Sequence, residues 1–131
     1  MVYNRTVERA QALVDRFNGQ PGKVVAAPLD KLCDTCCDVL INATPIGMHP
    51  KTDATPAPGL FTPDTPQKNP RVVFDTIYNP ATTVLLAEAN AAGRATISGI
   101  EMAVRQAAGQ VTAWTRKPAP LDVFERVVRD R

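Results

Sequence analysis

The sequence predicts an α/β fold built on an open parallel sheet with helices on both faces. Three strand-like segments, residues 38–44, 71–75 and 95–97, alternate with segments whose apolar residues recur at helical spacing. The centres of the first two are continuously aliphatic, which is typical of parallel strands buried on both faces. Strands and helices that alternate in this way form a sheet with a helical layer on each side.

The first third of the chain contains a strand, a helix and a second strand. Residues 2–3 end a strand, and Thr6 is the expected N-cap of a helix that ends at Asn18-Gly19. Residues 23–26 predict a short strand that stops before Pro28, and residues 29–37 a helical turn. The apolar residues of the helix are Val7, Ala10, Leu13, Val14 and Phe17.

The rest of the chain contains one long loop and three helices. Six prolines between residues 47 and 70 exclude regular structure there. A helix is predicted over residues 82–92, closed by Gly93, and two more over residues 99–114 and 120–130. We therefore take residues 1–131 as one domain that ends in two helices.

Composition limits the function classes. A chain of 131 residues with 44% hydrophobic and 21% charged residues is typical of one soluble globular domain. A net charge of +2, with dispersed basic residues, argues against nucleic acid or an anionic membrane as partner. No apolar run approaches the roughly 20 residues that span a bilayer, and the first residues lack a signal-peptide segment. A cytoplasmic protein is the expectation.

Three cysteines raise the question of a metal or redox site. Cys33-x-x-Cys36 is followed by Cys37, and His49 is the one histidine that could join them. The pattern lacks a second ligand pair at zinc-site spacing. Reduced thiols packed as small apolar groups are favoured, and we expect no metal.

Polar residues cluster where the predicted strands end. In open parallel sheets ligands bind at the carboxyl ends of the strands, so these clusters should lie along one rim. Gly47, after the second cluster, would let backbone approach a ligand closely, although a plain strand-exit turn explains the same residues. The clusters are Asn4-Arg5-Thr6, Asn42-Ala43-Thr44-Pro45, Thr76-Ile77-Tyr78 and Ser98-Gly99.

Arg5 and Arg9 predict an anion site at the start of the first helix. A helix N-terminus carries partial positive charge, so two arginines there are unfavourable unless an anion binds. After the second strand of a dinucleotide-binding unit, an acidic residue binds the ribose 2′-hydroxyl of NAD, whereas arginine accommodates the 2′-phosphate of NADP. The motif predicts NADP, with two solvated surface arginines as the alternative.

Two further stretches, residues 75–82 running on to Leu85 and residues 98–107, complete a pattern of four motifs. In this order, with residues 4–6 and 42–48, they resemble the C-terminal domain of shikimate dehydrogenase over nearly the whole chain. The closing stretch, residues 105–120, resembles the form fused to a dehydroquinate dehydratase. The resemblance implies a Rossmann-like sheet and the reversible NADPH-dependent reduction of 3-dehydroshikimate to shikimate, a step of aromatic amino-acid biosynthesis that leads to chorismate.

The resemblance also implies roles for single residues. The adenosine-phosphate clamp would be Asn4, Arg5, Thr6 and Arg9. The cofactor would pass over Thr44 and Pro45, although related sequences often have serine where Pro45 stands. The nicotinamide end would meet Thr76, Gly99 and Met102. Tyr78 and Gln106 would contact the substrate's hydroxyl and carboxylate groups, since phenol and amide both donate and accept hydrogen bonds. For Met102 and Gln106, an ordinary helix face is the alternative.

Part of the expected domain is missing from the sequence. A glycine-rich turn that holds the pyrophosphate should precede Asn4 by about 20 residues, yet three residues precede it. The resemblance places the catalytic lysine and aspartate in an N-terminal substrate domain that is also absent. We therefore expect no catalytic residue in this chain, and an isolated chain that is inactive.

The missing first strand belongs between residues 2–3 and residues 38–44 in the order 3-2-1-4-5-6. Two unpaired edges should remain. The strands could pair directly, the chain could associate with another chain, or the N-terminal unit could be poorly ordered.

Two other functions compete with this interpretation. A quinate/shikimate dehydrogenase paralogue, or one that prefers NAD, has the same motifs, but Arg5 and Arg9 argue against NAD. A non-catalytic nucleotide-binding module would keep the cofactor rim alone.

Overall fold

The computed structural model describes residues 1–17, 19–61 and 70–129. The chain forms two compact units, Met1–Cys36 and Cys37–Arg131, and each is described by itself. All described strand pairs are parallel, which confirms the predicted α/β class. No helix in the described part is long and apolar enough to cross a bilayer.

The first unit is a strand–helix–strand arrangement. β1 (Val2–Asn4) is followed by α1 (Val7–Arg16) and β2 (Ala26–Pro28), and a 3₁₀ helix covers Leu29–Asp34. β1 pairs with β2, and α1 packs on both strands. Ala10, on the apolar face of α1, is buried.

The prediction of a strand over residues 23–26 that stops before Pro28 is wrong, because Pro28 is the last residue of β2. The backbone N–H of Val2 donates to the carbonyl of Val25 at 2.8 Å. Odd-numbered residues of β2 therefore direct their backbone groups at β1, and the nitrogen of Pro28 points away from it. A missing N–H disrupts no ladder bond there.

Thr6 occupies the N-cap position of α1, as predicted, but its side chain makes no capping hydrogen bond. Oδ1 of Asn4 instead accepts a hydrogen bond from the backbone N–H of Thr6 at 2.9 Å. The helix ends at Arg16 with Phe17 as C-cap, so it ends before the predicted Asn18-Gly19. Asn18 lies outside the described residues.

The second unit contains a three-stranded parallel sheet and three helices. The sheet has the order β3 (Val39–Asn42), β4 (Val72–Asp75), β5 (Ala95–Ile97). The helices are α2 (Val84–Ala91), α3 (Gly99–Thr115) and α4 (Leu121–Arg129). α2 covers one face of β4 and β5, and α4 packs on α3. Residues 47–61 contain no helix or strand, in line with the predicted loop, whose residues 62–69 lie outside the described chain.

β3 is buried on one face, so the prediction of burial on both faces is wrong for this strand. Leu40 is buried, whereas Val39 and Ile41 are 52% and 57% exposed. The face that contains Leu40 and Val73 is the one that α2 covers. The aliphatic run therefore predicted the strand correctly, but the strand is less buried than the run indicated.

The described strands form two separate sheets. β1 pairs with β2 in the first unit, and β3 pairs with β4 in the second. The three outcomes expected for the strand edges stay predictions.

Candidate functional site

The strands of the second unit end at one edge of their sheet because all three are parallel. The registers pair Asn42 with Asp75, and Phe74 with Ile97. The segments that leave the strands therefore begin side by side, which is the position where ligands bind to sheets of this kind.

The turn after β3 is closed by its own side chains. Oδ1 of Asn42 accepts hydrogen bonds from the backbone N–H of Thr44 at 3.0 Å and from its hydroxyl at 2.8 Å. The Thr44 hydroxyl accepts in turn from the N–H of Ile46 at 3.2 Å. The hydroxyl of Thr44 is therefore used twice, and its N–H once, within the turn itself. Pro45 next to it is exposed.

Gly47 has a positive φ of 97°, which favours glycine. A Cβ there would lie 3.0 Å from the carbonyl oxygen of Ala54, so the position is also tight.

The turn after β4 lies against the turn after β3. The backbone N–H and the hydroxyl of Thr76 donate to the carbonyl of Asn42 at 3.1 and 3.0 Å. Thr76 is half-buried, and Tyr78, two residues on, is 60% exposed. The phenol of Tyr78 therefore lies at the surface, beside a backbone that is fixed.

Gly99 begins α3 in contact with the turn after β4. A Cβ at Gly99 would overlap the carbonyl group of Ile77 and lie 2.6 Å from the carbonyl oxygen of Thr76. No other residue type fits without moving backbone. Ser98 fixes the same point, because its hydroxyl accepts from the N–H of Glu101 at 3.3 Å and its N–H donates to Oε2 of Glu101 at 2.8 Å.

Met102 and Gln106 share one face of α3 with Gly99, since they follow it by three and seven residues. Met102 is half-buried and Gln106 is exposed. This is the helix face that Gly99 places against residues 76–77. The structure thus brings Thr76 and Gly99 together. The contacts predicted for Met102 and Gln106 stay predictions.

The first unit presents its cations at the turn from β1 to α1. Arg5, Thr6 and Arg9 are exposed, and Asn4 is half-buried with its side chain in the local turn. The ion pair found among the described residues joins Lys31 and Asp34, so neither Arg5 nor Arg9 has a carboxylate partner there. Two unpaired guanidinium groups at a helix N-terminus are suited to a phosphate group.

The structure buries three polar residues, namely Asn42, Asp75 and Thr83, of which Asn42 lay in a predicted cluster and the other two had no predicted contact. They connect the two turns behind the strand ends. Asp75 carried a usable signal, because an acidic residue at the end of an apolar strand needs buried partners. Thr83 also carried a signal in the sequence, because a threonine immediately before a helix is a typical N-cap.

Parallel strands that alternate with helices, with polar residues and a close-packed glycine at the strand ends, are typical of Rossmann-type sheets. No protein-family model matches the chain. A shikimate dehydrogenase (NADP+) of Methanosarcina mazei is 40% identical in an alignment of 131 positions, which covers 97% of this chain and 45% of that protein.

Solved structures agree with this relative. Shikimate 5-dehydrogenase from Thermus thermophilus, in complex with NADP(H) and shikimate, superimposes with a TM-score of 0.76 at 30% identity and covers 98% of this chain and 44% of that one. Quinate dehydrogenase from Corynebacterium glutamicum, in complex with NAD, gives a TM-score of 0.82 at 29% identity, with coverages of 99% and 45%.

The chain is therefore similar to one part of the shikimate dehydrogenases over nearly its whole length. It spans about 45% of the length of the relatives it matches. The resemblance to the form fused to a dehydroquinate dehydratase stays a prediction.

Proposed function

We propose that this chain supplies the NADP-binding half of a shikimate dehydrogenase, which reversibly reduces 3-dehydroshikimate to shikimate with NADPH. One observation carries the proposal. Gly99 packs against the backbone of residues 76–77 so closely that the start of α3 and the turn after β4 meet at the carboxyl ends of the strands. This convergence occurs in a chain 40% identical to an NADP-dependent shikimate dehydrogenase.

The residues of the first unit fit the adenosine end of NADP. Arg5 and Arg9 are exposed and lack carboxylate partners among the described residues, so both can bind a 2′-phosphate. Asn4 holds the turn through its bond to the N–H of Thr6, which keeps the start of α1 open to an anion. We assign the 2′-phosphate to Asn4, Arg5, Thr6 and Arg9.

The residues of the second unit fit the nicotinamide end and the substrate. NADP(H), when bound, supplies or accepts the hydride. Thr44 and Pro45 line the path over the strand ends, and Thr76, Gly99 and Met102 meet the nicotinamide. Tyr78 and Gln106 hold the hydroxyl and carboxylate groups of the substrate. No residue of this chain is assigned to move the hydroxyl proton, so we expect turnover only together with the catalytic lysine and aspartate of the substrate domain.

A chimera tests the proposal. The 131 residues replace the matching 45% of the Methanosarcina mazei enzyme, so that the relative supplies the remainder. We expect shikimate-dependent reduction of NADP+. A folded chimera that binds NADPH without turnover would instead support a non-catalytic nucleotide-binding module.

Substitution of the two assigned substrate residues should raise KM for shikimate. In the chimera, Tyr78→Phe and Gln106→Ala each remove a hydrogen bond, and a bond to a charged group contributes roughly 1.5–3 kcal/mol. We expect about a tenfold rise in KM or more for Gln106→Ala, with NADPH affinity unchanged. Gln110→Ala, at an exposed position one turn later on α3, is the matched control. Equal effects of Gln106→Ala and Gln110→Ala would remove Gln106 from the site.

Quinate is the second candidate substrate. The quinate dehydrogenase of Corynebacterium glutamicum has the higher TM-score of the two structures, 0.82 against 0.76. That enzyme is in complex with NAD, whereas the unpaired Arg5 and Arg9 favour a 2′-phosphate. We therefore place shikimate with NADP first.

We also propose that the chain associates with a second copy through β3. Among the described strands β3 pairs with β4 alone, and its residues Val39 and Ile41 are exposed on one face of the sheet. Open apolar edges favour strand pairing between chains. Sedimentation velocity should show dimers that Ile41→Lys dissolves, and a monomer at every concentration would contradict the association.

The reducing cytoplasm is the proposed compartment. Cys36, in the described part of the chain, forms no disulfide. Thiol labelling of the protein in intact cells should modify Cys36, which is exposed. Complete protection of this thiol by oxidation would argue for another compartment.

A further inference from the structure

A line of buried polar side chains runs behind the strand ends from β3 to the start of α2. Asn42, Asp75 and Thr83 are 3%, 0% and 1% exposed. Nδ2 of Asn42 donates to Oδ1 of Asp75 at 3.1 Å, and the hydroxyl of Thr83 donates to Oδ2 of Asp75 at 2.7 Å. We call these three residues the Asp75 network.

The network reaches the backbone of both strand-exit turns. On the β3 side, Asn42 accepts from the N–H of Thr44 at 3.0 Å and donates to the carbonyl of Ile46 at 3.3 Å. On the β4 side, Oδ1 of Asp75 accepts from the N–H of Ile77 at 3.1 Å. One carboxylate therefore connects two turns that are more than 30 residues apart in the sequence.

Thr83 extends the network into α2. Its hydroxyl accepts from the N–H of Leu86 at 3.3 Å while it donates to Asp75. A valine at position 83 would have a similar shape and would remove both bonds. A serine would keep both.

Stability alone does not explain a carboxylate at this position. Asp75 is fully buried, and among the described residues its carboxyl group has hydrogen-bond donors but no ion pair. Burying a charge is unfavourable, and an apolar replacement of the same shape is often neutral or stabilising. A set of directed hydrogen bonds to two turns does what an apolar side chain cannot, because it fixes the turns relative to each other.

We infer that Asp75 is a positioning residue that holds the turn with Thr44 and Pro45 and the turn with Thr76 and Tyr78 in one fixed arrangement. The two turns then move as a single body when a ligand binds at the strand ends. The benefit to hydride transfer rests on the proposed function, whereas the coupling of the turns does not.

Amide hydrogen exchange on the 131-residue chain tests the coupling without any ligand. Thr83→Val should lower the protection of the Thr44 and Ile77 amides by about tenfold, equivalent to about 1.4 kcal/mol for the lost bond to Asp75. Thr83→Ser should restore it. Thr96→Val, which removes a hydroxyl bond to Asn90 outside the network, should leave both amides unchanged.

A loss of protection confined to Leu86 would overturn the inference, because it would mean that Thr83 only caps α2. So would an equal loss at every amide of the second unit, since that reports lower stability and no specific coupling. Asp75→Asn gives an independent variant, because its amide nitrogen cannot accept the Thr83 proton. Coupled loss in the chain, combined with a chimera that does not turn over shikimate, would overturn the proposed function alone.

Discussion

Replacing both Arg5 and Arg9 with serine in the chimera is expected to weaken NADPH binding by about 100-fold and NADH binding by less than about threefold. On the proposed assignment each guanidinium group would donate charge-assisted hydrogen bonds to the phosphate, each worth roughly 1.5–3 kcal/mol, and about 1.4 kcal/mol corresponds to a tenfold change in affinity. NADH lacks the 2′-phosphate, so its remaining contacts are unaffected. Calorimetric titration with both cofactors measures the two affinities.

Arg16→Ser is the matched control for this double substitution. Arg16 is an exposed arginine in the last turn of the same helix, and its removal should change neither affinity. Equal losses for NADPH and NADH in the double variant would contradict the assignment of the 2′-phosphate to Arg5 and Arg9. The two arginines would then be solvated surface residues.

Gly99→Ala is expected to destabilise the second unit by about 3 kcal/mol. A Cβ at this position meets backbone carbonyl groups of residues 76–77, which cannot rotate away as a side chain would. Overpacking of this kind costs typically 1–3 kcal/mol and occasionally more. Denaturant unfolding of the 131-residue chain should show a lower midpoint with an unchanged slope.

Gly109→Ala provides a control within the same helix. A Cβ at Gly109 has nothing within 4 Å, so the substitution should stabilise α3 by roughly 0.5–1 kcal/mol through helix propensity. If both alanine variants unfold at or above the wild-type midpoint, Gly99 does not lie against the backbone of residues 76–77. The convergence of α3 on the β4 turn would then be lost as an argument for function.

Local sequence patterns predicted most of the second unit. Residues 95–97 form β5 as predicted, and α3 begins at the predicted Gly99 and ends one residue later than expected. These elements are marked by signals a few residues long, such as the Ser98 cap and the glycine after a helix. The βα alternation follows from the same signals and gave the fold class.

Structural features that depend on residues distant in the sequence were predicted poorly. The exposed face of β3 depends on which helices cover the sheet, and a run of aliphatic residues cannot report that. β2 can include Pro28 because the nitrogen of Pro28 points away from β1. A local sequence pattern does not show which backbone groups of β2 face β1. Asn42 and Asp75 are 33 residues apart, so their bond is invisible to any local pattern.

The candidate site shows the same division. Strand ends located Thr44, Thr76 and Gly99 because the position of a parallel strand fixes its exit. Tyr78 and Gln106 came from the family resemblance, and their contacts with substrate stay predictions. The anion site at Arg5 and Arg9 was predicted from their charge and their position at the start of α1, and it stays a prediction.

Steady-state kinetics of the chimera test the central claim most directly, namely that this chain is the NADP-binding half of a shikimate dehydrogenase. The measurement is kcat/KM for shikimate with NADP+. It is compared with kcat/KM for shikimate with NAD+, for quinate with NADP+ and for quinate with NAD+. We expect shikimate with NADP+ to give the highest value, within about tenfold of the intact Methanosarcina mazei enzyme, a difference of about 1.4 kcal/mol in transition-state stabilisation. A soluble, folded chimera without turnover of shikimate, or one that prefers NAD+, would contradict the claim.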